Sequence, residues 1–165
     1  LHDFLEEKID ERWTYYCCGP DLPYSNRLHH MPAASNRIMG LLLYCYDVDG
    51  FLHWGFNFWN SGCSRSAIDP FRTGDSDWDY ADGDAYLVAP GENGPLDTMR
   101  YEVFTAGLQD LRALRLLEAK IGREKVLKFI ESKFGRRVTM ADHPRSSEWI
   151  SSFRDEVNRM IKKAK

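Results

Sequence analysis

Several things are missing from this sequence, and each absence narrows its function. No apolar run approaches the roughly 20 residues a helix needs to cross a bilayer, so no membrane span is expected. Basic residues do not outnumber acidic ones. The 22 Lys and Arg stand against 25 Asp and Glu, for a net charge of -3, and this argues against nucleic acid as a partner. The four cysteines, Cys17, Cys18, Cys45 and Cys63, include no C-x-x-C pair. A zinc site is therefore not expected, and free, mostly buried thiols are. There is no internal repeat. The chain opens at Leu1 with neither an initiator Met nor a signal peptide. Leu1, Phe4, Leu5 and Ile9 form an apolar stripe between acidic residues, as in the end of a helix (residues 1–11) cut from a longer polypeptide.

What is present is an aromatic-rich chain of 165 residues, enough for one domain with a real core. Its most informative stretch is Gly50–Trp59, G-F-L-H-W-G-F-N-F-W. It is too short for a buried helix, and its aromatics favour a strand. Alternation would put Leu52, Trp54, Phe56 and Phe58 on one face and His53, Gly55, Asn57 and Trp59 on the other. The first set reads as packing, and His53 as a satisfied core histidine. Asn57 and Trp59 combine an amide with an aromatic ring at the strand's end, which is the chemistry that grips a sugar.

Around this strand the pattern is α/β. Residues 12–18 (R-W-T-Y-Y-C-C) read as a strand, broken by Gly19-Pro20 and Leu22-Pro23. Residues 35–46 read as a helix with Ile38, Leu41, Leu42 and Cys45 on one side, and residues 47–50 as a turn. Strand, helix and strand then form a βαβ unit with parallel strands. A third short strand is expected over 85–89. Helices are expected over 98–120, capped by Asp97 or Thr98, over 124–134, stopped by Gly135, and over 146–163. Between them, residues 60–84 make a long loop, of the kind that is usually functional or disordered. In it Asp75, Asp77, Asp79, Asp82 and Asp84 nearly alternate, as calcium-binding loops do. Tyr80 stands where a glycine would be wanted, and no glutamate follows at the right spacing, so a solvated acidic loop is the better expectation.

Three strands cannot close a barrel, which takes roughly 250 residues. Several segments in order nonetheless carry a resemblance. They are W-T-Y-Y-C-C-G-P at 13–20, P-Y-S-N-R at 23–27, the helix through Asn36-Arg37-Ile38, and D-G-F-L-H-W-G-F-N-F-W at 49–59. G-D-A-Y-L-V-A-P-G at 83–91 and M-R-Y-E-V-F-T-A-G-L-Q-D-L at 99–111 complete the set. Together, over about residues 12–118, they resemble the C-terminal part of the catalytic domain of glycoside hydrolase family 123. That resemblance implies the C-terminal portion of a (β/α)8 TIM-like barrel over residues 1–118, with C-terminal helices over 119–165 packed on it. It further implies removal of terminal β-linked N-acetylgalactosamine, with the substrate's own acetamido group as nucleophile.

The family's catalytic Asp-Glu pair ends an earlier barrel strand. Asp10-Glu11 and Asp155-Glu156 both read instead as solvated helix faces, so no catalytic residue is expected here and the fragment alone should be inactive. Sugar-binding residues are better represented: Tyr15 or Tyr16 near a strand end, Tyr24 and Asn26 in the loop after it, and Trp54, Asn57 and Trp59 along the aromatic strand. No cofactor or metal is implied. The expected partners are a glycan ending in N-acetylhexosamine and, through exposed strand edges, other copies of the fragment. The alternative is a non-catalytic carbohydrate-binding or structural α/β domain.

Overall fold

The computed structural model describes residues 9–164. The helix expected over 1–11 falls outside them except for residues 9–11, which have no regular structure. Strand β1 (Trp13–Tyr15) runs parallel to β2 (Gly50–Leu52), with Trp13 opposite Gly50, Thr14 opposite Phe51 and Tyr15 opposite Leu52. The pairing depends on Gly50, because a Cβ there would run into the Trp13 indole. Trp13, Tyr15 and Leu52 are exposed, whereas Phe51 turns inward and meets Phe104. The expected βαβ unit is therefore present, but both strands are shorter than the sequence suggests.

The connection between the strands holds two short helices, α1 (Ala33–Arg37) and α2 (Met39–Cys45), with Ile38 at the joint, where one continuous helix was expected. Every residue from Met39 to Tyr44 is buried. A helix hydrophobic all round belongs inside, and this one is covered by α3 (Met99–Ile121). Thr98 caps α3, its Oγ1 accepting from the Tyr101 N–H at 3.3 Å, and Gly122 at φ 87° ends it. Helices α4 (Arg123–Phe134) and α5 (Ser147–Lys163) pack on the same spine. Gly135 stops α4 in the left-handed conformation that favours glycine, and Ser146 caps α5.

One hydrophobic cluster runs from Tyr16 through Leu42, Leu114 and Val126 to Val157. Two features seat α3 in it. At its crossing with α1 and α2 the backbones touch: a Cβ on Gly40 would strike the Gly107 carbonyl oxygen, and one on Gly107 would strike that of Arg37. Three residues further along, Asp110 receives Arg37 at 2.8 Å and Arg154 at 2.7 Å, tying α1, α3 and α5 together.

The third strand differs from expectation. It shortens to β3 (Val88–Ala89) and pairs antiparallel with β4 (Leu96–Asp97) in a separate hairpin. Pro90-Gly91 and Gly94-Pro95 turn the chain back before it can join the parallel pair. The cysteines are free as expected, but Cys18 and Cys63 are exposed rather than buried.

Gly40→Ala should destabilise the fold by about 3 kcal/mol, because backbone rather than a flexible side chain blocks the added methyl. Urea unfolding of the variant against the parent checks this; a change below 1 kcal/mol, the low end for overpacking, would contradict the close crossing.

Candidate functional site

Parallel strands present their carboxyl ends on one side, and α/β proteins keep their sites there. Here β1 delivers Tyr15, Tyr16 and the loop containing Arg27, while β2 delivers His53 and Trp54. The aromatic stretch does not continue as a strand after Leu52. Gly55 packs so tightly on the carbonyls of Asp84 and Ala85 that no side chain fits there. Phe58 N–H bonds to Ala85 O, and Asn57 pairs with Tyr86. The segment is thereby drawn towards residues 84–88 and its alternation is lost. Trp54, expected by parity among helix-packing residues, turns with His53 towards one carboxylate.

That carboxylate belongs to Asp84, which is fully buried. It accepts from Trp54 Nε1 at 2.6 Å, from His53 Nε2 at 3.2 Å and from Cys18 Sγ at 3.5 Å. On the far side of the imidazole, His53 Nδ1 accepts from Arg27 Nη2 at 2.6 Å and from the Gly55 N–H at 3.0 Å. Arginine and amide nitrogens are donors only, so Nδ1 carries no proton and the ring is the neutral Nε2–H tautomer. Arg27 also donates to Asp84 O at 3.0 Å and to Gly55 O. The row is thus a buried cation, a neutral imidazole and a buried carboxylate.

The titration shifts fit this arrangement. Burial pushes the His53 imidazole down, against the opposing pull of Asp84. Burial alone would raise Asp84, but the hydrogen bonds from His53 and Trp54 outweigh it and hold the carboxyl below its usual range. Burial lowers Arg27 to about 10, so it stays cationic at neutral pH.

Each expected sugar-binding residue has a definite place. Tyr16 is buried, with its ring edge-on to His53 at 5.4 Å and its hydroxyl without a hydrogen-bond partner among the described residues. Tyr15 is exposed, 6.3 Å from the same ring; its phenol is pushed up to about 12, chiefly by a hydrogen bond with Cys17. Trp54 is half-buried and packs on Tyr80 at 4.8 Å. Asn26 sits wholly inside. Its amide donates to Pro20 O at 2.9 Å and Cys17 O at 3.4 Å, and its Oδ1 accepts from Arg27 N–H at 2.7 Å. Asn26 therefore fixes the loop that carries Arg27. Tyr24, Asn57 and Trp59 lie outside the cluster. Tyr24 and Asn57 are exposed, while the half-buried Trp59 donates to Val88 O at 2.9 Å.

Arg27, His53 and Asp84 are the residues that sequence reasoning did not bring together. The sequence alone places His53 in the core and Asp84 among five loop acids. Those acids diverge in the structure. Asp79 receives Gly62 N–H at 2.8 Å together with Arg65, Asp82 pairs with His29 at 2.6 Å, and Asp75 receives Trp78 N–H at 3.2 Å. Among the described residues no three His, Cys, Asp or Glu side chains stand together as a metal site. Neither Asp-Glu dipeptide lies on a segment that builds the cluster. Asp10-Glu11 precedes β1, with Glu11 bonded to Trp13 Nε1 at 3.1 Å, and Glu156 on α5 pairs with Lys133 at 2.5 Å.

Residues 2–117 match the family described as Glycoside hydrolase 123, catalytic domain. Ten solved chains are similar in structure. One is a family 123 glycoside hydrolase from Clostridium perfringens, analysed for the details of glycolipid glycan hydrolysis. It is 19% identical with a TM-score of 0.55, over 91% of this chain and 26% of that one, a likeness that speaks for the fold. The chain therefore spans about a quarter of the length of that relative. No curated protein matches.

Two measurements test the cluster. Asp84→Asn should cost about 3 kcal/mol, since His53, Trp54 and Cys18 lose a charged acceptor in a buried place. The pH dependence follows from His53. Its folded pKa lies below the unfolded value of about 6.5, so the unfolded chain binds the extra proton. Its contribution is therefore complete above that pH and is lost as pH falls from there towards the folded pKa. His29 and His143 are shifted the same way and add to the slope. His53→Gln keeps a donor for Asp84 but cannot titrate, so its urea midpoint should fall less between pH 7 and pH 5. Equal slopes in variant and parent would contradict a neutral His53.

Proposed function

This chain belongs to glycoside hydrolase family 123, matched over residues 2–117, and from that we propose that it forms one wall of the sugar site of a β-N-acetylgalactosaminidase. The wall is the C-terminal portion of a (β/α)8 barrel, with the C-terminal helices packed behind it. The observation that carries the proposal is the Arg27–His53–Asp84 row at the carboxyl ends of β1 and β2, flanked by Tyr15, Tyr16 and Trp54.

The division of labour follows from burial. Trp54 is held by its Nε1 bond to Asp84, which fixes the orientation of its ring for stacking on a sugar face. Tyr15 is exposed and remains protonated at neutral pH, so it donates its phenol hydrogen to the acetamido carbonyl. Asn57, with its exposed amide, and Tyr24, with its exposed phenol, take hydroxyls at the periphery, beside Trp59. Asn26 acts through Arg27, and Arg27 and Asp84 hold His53 in one tautomer. The general acid and its neighbouring Asp are supplied by polypeptide beyond this chain, because Asp10-Glu11, before β1, and Asp155-Glu156, on α5, are on no segment that builds the row. The same placement favours a second reading, a carbohydrate-binding or structural domain without catalysis.

Hydrolysis of a chromogenic β-N-acetylgalactosaminide separates the readings. The complete polypeptide carrying this chain should be active and the 165 residues alone inactive. Tyr15→Phe in the complete polypeptide should lower kcat/KM about tenfold, the loss of one hydrogen bond. A complete polypeptide inactive on this sugar and on its gluco epimer would overturn the hydrolase reading. A second expectation concerns the fragment. Trp13, Tyr15 and Leu52 are exposed on a two-stranded sheet, so the isolated chain should self-associate through these strands. A concentration-independent monomer by light scattering would contradict that.

A further inference from the structure

Trp78 stands on the loop of residues 60–84 with 90% of its surface exposed, more than any other large hydrophobic side chain described. Single exposed apolar residues are ordinary, but the backbone beneath this one is not. Ser76, Asp77 and Trp78 take φ values of 54°, 63° and 68°, three consecutive non-glycine residues in the left-handed region. Each such residue costs about 1–2 kcal/mol, and strain of this kind persists only where surrounding structure enforces it.

The enforcement is visible. Ser76 is fully buried beneath the turn. Asp75 Oδ1 accepts from the Trp78 N–H at 3.2 Å, and Asp75 O accepts from the Tyr80 N–H at 3.0 Å. On the other side Asp79 is clamped by the Gly62 N–H and by Arg65. The turn is braced on both flanks, and what it presents is an indole.

Its position ties it to the sugar site. Tyr80, two residues on, packs against Trp54 at 4.8 Å and Phe58 at 6.0 Å. Two residues span at most about 7 Å of backbone, so the Trp78 backbone stands within that distance of Tyr80, whose ring packs on Trp54. The charge around it selects the occupant. Asp75 and Asp77 flank it in the turn; Asp79 is matched by Arg65, and Asp82 is hydrogen-bonded to His29, whose imidazole burial pushes down. That surplus of carboxylate repels an anionic bilayer and acidic sugars alike. It suits a neutral sugar, whose C–H face lies on the indole while its hydroxyls donate to carboxylates.

We propose that Trp78 is a stacking platform for a neutral sugar ring of the glycan, lying outside the ring held at Trp54 and His53. This rests on the sugar site proposed above. It extends that site from a single terminal residue to a glycan of at least two sugars.

The test is binding of a neutral trisaccharide ending in β-N-acetylgalactosamine to the complete polypeptide, measured by titration calorimetry. Trp78→Ala should weaken Kd about tenfold, and Trp78→Phe should recover most of the loss. Because the side chain is exposed, neither change touches the core. An unchanged Kd in Trp78→Ala, or no binding by the parent protein, overturns the proposal. So does Trp78-dependent binding to phosphatidylserine vesicles with none to the trisaccharide. Hydrolysis of the chromogenic glycoside by the parent protein reports separately. Activity with an unchanged Kd sinks only the platform; Trp78-dependent binding without activity sinks only the hydrolase reading.

Discussion

Burying a carboxylate is tolerable only if hydrogen bonds replace the water it loses, and Asp84 is where this protein meets that condition. Its three donors come from two places: Cys18 after β1, and His53 and Trp54 after β2. Satisfying them ends the aromatic strand early and draws residues 53–58 towards 84–88. Through His53 it also positions Arg27, which Asn26 holds from behind. Remove the carboxylate and His53, Trp54 and Cys18 lose their common acceptor, leaving backbone bonds between residues 56–58 and 85–88 to hold these segments together. The candidate site and the irregular half of the fold thus share one electrostatic tie.

The helical half has a different cause. Helix α3 is positioned by apolar burial, by the backbone contact at Gly40 and Gly107, and by Asp110 between Arg37 and Arg154. The stacked rings of Phe129, Phe153 and Trp149 close the far side, where α4 meets α5. These contacts do not involve the Asp84 cluster. The two halves meet at Phe51 and Tyr16, whose rings pack on the core from one side and on His53 from the other.

This division explains what could be read from the sequence. Helices α3, α4 and α5 were legible because capping by Thr98 and Ser146, termination by Gly122 and Gly135, and apolar periodicity are all local signals. The parallel βαβ unit was legible for a similar reason. The strand lengths were not: Gly50–Trp59 has the composition of a strand throughout, but its second half answers to a residue 30 positions away. A strand over 85–89 was expected but not its hairpin with β4, because nothing local says which partner a short strand joins. The Tyr, Trp and Asn candidates stood out by type. Arg27, His53 and Asp84 did not, because no spacing encodes a contact formed by loop closure; the run of loop acids hid the one that matters.

The loop of residues 60–84 takes the place where a helix would ordinarily follow a strand, and it is held differently from a helix. Its fastenings are separate backbone hydrogen bonds, such as Ile68 N–H to Trp59 O and Gly83 N–H to Gly74 O, together with carboxylate side chains: Asp79 on Gly62 and Arg65, Asp82 on His29, Asp75 on Trp78. Such ties break one at a time, whereas a packed helix lets go as a unit. Amide protons in α2 and the middle of α3 should therefore exchange only with global unfolding, while those of the loop exchange through smaller, more frequent openings. Local opening of this loop therefore leaves the helical core undisturbed.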